Sequence, residues 1–247
     1  MNVSVTFDNL GEASDLERGW WPEDEPLGRH FSVTRALPRV LEALDEAGLR
    51  ATFFVEGLNT ELYPETLVEV AAAGHEVGCH GWRHERWDRL DPGEERSSLE
   101  RCVAGMRELG LEPSGFRPPG GALTAATPAL LRELGFTYCS PADGTPTGGM
   151  PALPFRWPLL DAYHYLPHFA GMRGTREPLP PERLREAVLA ALEEQHDHLT
   201  LLFHPFLADT GERMAVIRDV LARVRDLVDA GTVWCAPCRE VACKKGA

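Results

Sequence analysis

Short apolar runs and longer stretches with a 3.6-residue apolar period take turns along most of this chain. That alternation predicts a parallel sheet whose strands are joined by crossover helices. The run "VSVTF" (3–7) reads as the first strand. Residues 33–48 follow as a helix with Leu37, Val40, Leu41 and Leu44 on one face, stopping at Gly48. A buried strand is expected over 51–57, a helix over 64–75 closed by Gly74, and a third strand over 76–80. The helix over 91–110 opens on Asp91 and Pro92, a cap residue and a first-turn proline. Then come the strand "GFRPP" (115–119), a helix over 127–135 and a strand over 136–140. Residues 141–178, rich in Pro, Gly and aromatics, lose the rhythm and read as long loops with one or two short strands. The pattern returns with helix 180–195, strand 198–205, helix 212–230 and a last strand over 232–237. No linker composition or solenoid repeat interrupts it, so one domain over residues 1–247 is expected.

In a barrel of parallel strands, functional side chains gather at the C-terminal strand ends. Those ends carry Asp8, His80, Arg117, Ser140 with Asp143, and His204, so polar groups from five strands would converge on one rim. Composition narrows what the rim could bind. A net charge of -13 excludes nucleic acid and anionic lipid as natural partners, because both would be repelled at long range. No run approaches the roughly 18 apolar residues of a membrane span. The chain enters "NVSVTF" without a basic or apolar leader, which predicts a cytoplasmic protein with its six cysteines reduced. The cluster "CAPCREVAC", holding Cys235, Cys238 and Cys243, contains a Cys-x-x-Cys but no dependable fourth ligand, and reads as structural.

The chemistry is written in the rim. "HGWRH" sets His80 and His84 four apart just past a strand end, a spacing from which two imidazoles can reach one metal ion. Asp8 and Asn9 end a different strand, and either could close a facial triad with an oxygen ligand. Two neutral imidazoles suit Zn, with Co or Ni as alternatives. Arg117, in "FRPPGG", is stiffened by Pro118, Pro119, Gly120 and Gly121, and would hold a carboxylate such as Asp8 through a bidentate fork. His204 stands between "LTLLF" and Pro205, placed to act as a general acid and backed by a carboxylate such as Asp143.

Taken in order, "TFDN", "HGWRH", "RPPGG", "SPADG" and "LLFHP" resemble the five motifs of the polysaccharide deacetylases, the NodB-homology or carbohydrate esterase 4 group. The resemblance implies a distorted (β/α)7 barrel and divalent-metal-dependent hydrolysis of an N-acetyl or other non-peptide amide. It makes Asp8 the general base, His80 and His84 metal ligands, and His204 the acid that protonates the departing amine. Arg117 becomes the residue that orients the base, and Asp143 the carboxylate that tunes the histidine. A backbone N–H near Gly120 would help hold the oxyanion, with Trp82 beside the substrate, which is a saccharide or a small molecule.

Four positions depart from the family pattern. Asn9 stands where a second aspartate ligates the metal, so either metal binding is weaker or Asp8 takes over as ligand. Gly120 replaces an aromatic, Gly144 a tryptophan, and Ser140 an aspartate. The stretch "AGHEVGCHGWRHE" is also similar to an allantoinase-like, cyclic-imidase branch. Three readings stand: N-deacetylation of an amino sugar or small N-acyl metabolite, opening of a cyclic amide or ureide, or an inactive binding protein of the same fold.

Overall fold

The computed structural model describes residues 1–194 and 196–246. Among the described residues seven strands form one sheet: β1 (Asn2–Asp8), β2 (Thr52–Val55), β3 (Glu76–Cys79), β4 (Gly115–Phe116), β5 (Tyr138–Cys139), β6 (His198–Phe203) and β7 (Trp234–Cys235). Every pairing between them is parallel, in the order β5-β4-β3-β2-β1-β6, with β7 added beside the start of β1. The result is the distorted (β/α)7 architecture, a curled sheet that does not close. Between β5 and β6 the chain from 151 to 160 fills the seam through isolated bridges, Cys139 to Ala152, Ala142 to Phe155 and Leu160 to Leu202.

Alternation along β1 sets the layers. Val3, Val5 and Phe7 bury outward against the helices, and Ser4, Thr6 and Asp8 point into the barrel. The helix Leu37–Glu46 lays Leu37, Val40, Ala43 and Leu44 on that outer face, with Leu41 only half buried. Its first turn departs from the expected helix, being a wide π turn over Ser32–Ala36. Pro38 has no N–H to return to the carbonyl four residues back, and the wider turn accommodates that. The helix Pro92–Glu108 begins with a full capping box: Asp91 accepts from the backbone of Gly93 and Glu94, and Glu94 accepts from the N–H of Asp91.

The strands expected over 115–119 and 136–140 shorten to two residues each. Pro118 and Pro119 carry no N–H for a ladder. A side chain at Gly115 would collide with the Tyr138 ring, whose hydroxyl must pass across it to reach Glu76. Residues 141–178 hold no strand among the described residues. They contain the short helices Asp161–Tyr165 and Ala170–Arg173, with one three-residue turn before the first and one between the two. The helix expected over 180–195 spans Pro181–Glu193; its last expected residue, 195, lies outside the described residues. Among the described residues no helix is long and apolar enough to cross a membrane.

The Cys-x-x-Cys runs from the end of β7 into the helix Cys238–Gly246. Cys238 is buried and Cys235 half buried, and burial pushes their thiols up to about 11 and about 12. Protonated thiols at neutral pH are poor ligands and poor nucleophiles.

Candidate active site

Five strand ends do meet, at the rim where β1, β3, β4, β5 and β6 finish. Asp8 is the last residue of β1, and Asn9 then turns the chain in the left-handed region at φ 58°. Asn and Asp tolerate that backbone better than other non-glycine residues. His80 follows β3 directly. Gly81 and His84 both take positive φ, folding the loop so that the two imidazoles stand 5.0 Å apart, edge to face. Glu85 and Ser98 hold the loop by accepting from the N–H of Trp82.

His80 gives its Nδ1 proton to the carbonyl of Arg117 at 2.8 Å, which leaves Nε2 bare and facing the cleft, 3.9 Å from Asp8 Oδ2. Burial, only partly offset by the hydrogen bond to the Arg117 carbonyl and aided by the nearby Arg117 charge, pushes this imidazole down to about 3, so the ring is neutral. His84 is likewise held well below the ordinary histidine value, first by burial and then by His80 and Arg18. Two neutral imidazoles are what a divalent ion requires.

Arg117 is fully buried and spends its guanidinium on three partners. Nη1 donates to Asp8 Oδ1 at 2.7 Å and to Thr6 Oγ1 at 2.8 Å, while Nε and Nη2 both reach Ser140 Oγ. The expected bidentate fork on Asp8 is therefore corrected: the fork grips Ser140, and Asp8 receives a single N–H. The serine in place of the family's aspartate explains this, since its hydroxyl accepts from the arginine and donates onward to the Leu153 carbonyl at 2.6 Å. The guanidinium also lies 4.2 Å over the Phe54 ring. Asp8 Oδ2 is left free on the cleft side.

His204 directly follows β6, with its ring in the same cleft. Its supporting carboxylate is Asp161, not Asp143. Asp161 Oδ1 meets His204 Nδ1 at 2.5 Å, and Oδ2 accepts the backbone N–H of His204 at 2.7 Å. Burial alone would depress this histidine, but the Asp161 charge and hydrogen bond, helped by Asp8, raise it above its ordinary value. Asp143 is exposed and turns back to accept from Gly144 N, closing its own turn. The clue to Asp161 was present: it is the one aspartate between residues 144 and 196.

Gly120 lines the cleft at φ 74° with open space where a side chain would stand. Trp82 does not line it. The indole is buried behind the loop, packed on Gly57 and covered by the Arg101 guanidinium at 3.9 Å, so its expected place beside the substrate is corrected to the wall behind the site. The cleft measures about 640 Å³ including its open mouth, within the ~300–1,000 Å³ usual for small-molecule sites. Phe155, Trp157, Leu166, Phe169 and Phe206 form its outer walls.

The residues fit a divalent ion. Asn9 Oδ1 is buried without a hydrogen-bond partner, as is Glu56 Oε1. A carboxylate oxygen of Glu56 and a ring nitrogen each of His80 and His84 lie within 4.8 Å of one another, and orphaned buried oxygens of this kind are what protein groups alone leave unsatisfied. Glu56 had no role in the sequence reading because it closes the apolar run "ATFFVEG", yet it occupies a strand end like the others.

Comparison with known proteins places the chain among relatives of one family. Residues 3–139, more than half the chain, match the family model described as polysaccharide deacetylase. Over 89 residues the chain is 36% identical to Chitin deacetylase 1 of Saccharomyces cerevisiae, covering 36% of this chain and 30% of the yeast protein. Over 118 residues it is 32% identical to Peptidoglycan deacetylase of Helicobacter pylori, covering 47% of this chain and 40% of that protein. Each match thus spans less than half of the relative's length. A crystal structure from Mycobacterium smegmatis, provisionally named a polysaccharide deacetylase, superposes with a TM-score of 0.84 at 31% identity, covering 98% of this chain and 88% of that one.

Proposed function

Because this chain belongs to the polysaccharide deacetylase family, we propose that it hydrolyses a non-peptide amide with the help of one divalent metal ion, removing an acetyl group from an amino sugar or a small N-acyl compound. The observation that carries this reading is a base and an acid with separate supports on one cleft: Asp8 held by Arg117, and His204 held by Asp161. When bound, the ion would supply Lewis-acid chemistry, acidifying water and drawing charge from the acyl oxygen. His80 and His84 would hold it, and zinc suits two neutral imidazoles. Asp8 Oδ2 takes the proton from the attacking water while Arg117 keeps that oxygen aimed. His204, protonated at both nitrogens, hands its Nε2 proton to the nitrogen as the C–N bond breaks, so the products are a carboxylic acid and a free amine.

Metal analysis of the purified protein, paired with release of acetate from N-acetylglucosamine oligomers, tests the reading. His80→Ala and His84→Ala together should remove the metal and the activity. An ion that stays bound in the double variant overturns the assignment.

The supporting carboxylate gives a pH test. As an acid, His204 must carry its proton, so activity falls as pH rises through its pKa. Asp161 raises that pKa. In Asp161→Asn the alkaline limb of the kcat profile should therefore move to lower pH, whereas Asp143→Asn should leave it in place. The opposite pattern would restore Asp143 to the role expected from the sequence.

The aromatic outer walls favour a second substrate class, the cyclic imides and ureides, whose flat rings stack on such surfaces. Direct competition between N-acetyl sugars and cyclic imides in one assay separates the two.

A further inference from the structure

The β1 end of this site is one charge short. Asn9 offers an oxygen but no charge, and one oxygen of Asp8 is taken by Arg117. A compensating charge lies one strand away. Glu56 directly follows β2 and is fully buried. A carboxylate oxygen of Glu56 and one ring nitrogen each of His80 and His84 lie within 4.8 Å of one another. Its Oε2 accepts from Asn59 Nδ2 at 3.2 Å, while Oε1 has no partner. Among the described residues no arginine or lysine forms an ion pair with it. Such a carboxylate is costly to bury unless it meets a cation or keeps a proton. Nor does Glu56 line the cleft, so substrate does not reach it from that side.

We propose that Glu56 is the anionic ligand of the metal, supplying from the end of β2 the charge that residue 9 lacks on β1. The ion is then held by His80, His84 and Glu56, with Asn9 Oδ1 available as a neutral ligand on the cleft side. This inference rests on the metal-dependent reading above. It settles the division of labour that Asn9 left open: with Glu56 as the charged ligand, Asp8 need not coordinate and keeps Oδ2 for the water.

Chelator competition measures the affinity for zinc, and the absorption spectrum of the cobalt-loaded protein reports its coordination. Glu56→Gln keeps the shape and removes the charge. It should weaken zinc binding by about a hundredfold or more, beyond the ~10–100-fold typical of losing a residue that merely braces a ligand. The cobalt spectrum should change with it. Asn9→Asp, a substitution its left-handed backbone accepts, should restore much of the affinity in the Glu56→Gln background and add less in the wild type. The metal-free Glu56→Gln protein should melt no lower than the metal-free wild type, which a purely structural role would not allow. Should Glu56→Gln fail to fold, Glu56→Asp shortens the reach while keeping the charge, and must still shift the cobalt spectrum. Unchanged affinity and spectrum in these variants overturn Glu56 as ligand and leave the metal-dependent reading intact. A wild-type protein that binds no metal, or that keeps it after loss of both histidines, overturns both.

Discussion

Alanine at position 204 should slow hydrolysis of an N-acetyl amine by about 10²–10⁴-fold, the usual worth of a positioned general acid. An amine anion is a very poor leaving group, so the C–N bond breaks only as the nitrogen gains a proton. His204 is placed to give it: Nδ1 is engaged by Asp161 and Nε2 is left toward the cleft. The metal content of His204→Ala should match the wild type, because this ring stands outside the group of Glu56, His80 and His84. The loss should shrink for substrates whose nitrogen leaves readily, such as an imide. Rates across a series graded by leaving-group basicity read this directly. Equal damage to good and poor leaving groups would show that the ring is structural or a ligand.

Removing Arg117 should be the most damaging change to the fold. Arg117→Ala leaves Asp8 charged and unpaired in the interior and strips Ser140 of its donors, a class of change that costs about 3–5 kcal/mol. Equilibrium unfolding in urea measures it. The penalty comes from the stranded charge, so Asp8→Asn combined with Arg117→Met should recover a good part of it. If the double variant is no more stable than Arg117→Ala, packing between Phe54 and Phe155 is the main contribution instead. Arg117→Lys keeps the charge but loses the planar fork; turnover should drop while zinc content holds.

The sequence was most legible where a strand leads straight into a polar residue. Asp8, His80, Arg117 and His204 each end or follow a strand whose apolar run is unmistakable, and the structure brings them to one rim. Glu56 obeys the same rule. Its run "ATFFVEG" was read as extending through Gly57, whereas β2 stops at Val55, and two residues of boundary error hid a strand-end carboxylate inside a strand. Asp161 was hidden for another reason. It belongs to a stretch with no hydrophobic period, where proline and aromatic residues give no axis on which to place a side chain. Asp143 was closer to a strand end and was preferred, but nothing in a period-two pattern distinguishes a carboxylate that faces inward from one that caps its own turn. The grip of Arg117 on Ser140 depends on a hydroxyl and a carbonyl brought together across strands, which no local pattern contains.

The seam between β5 and β6 therefore concerns more than closure of the barrel. Phe155, Trp157, Leu166 and Phe169, which line the cleft, share one stretch with Asp161, which raises the proton affinity of His204. That stretch is moored by three isolated bridges rather than a continuous ladder. A ligand that presses on its aromatic residues works on the same chain that carries the carboxylate. Exchange of this one segment between relatives would replace the aromatic wall of the cleft and the carboxylate that supports His204 in a single step.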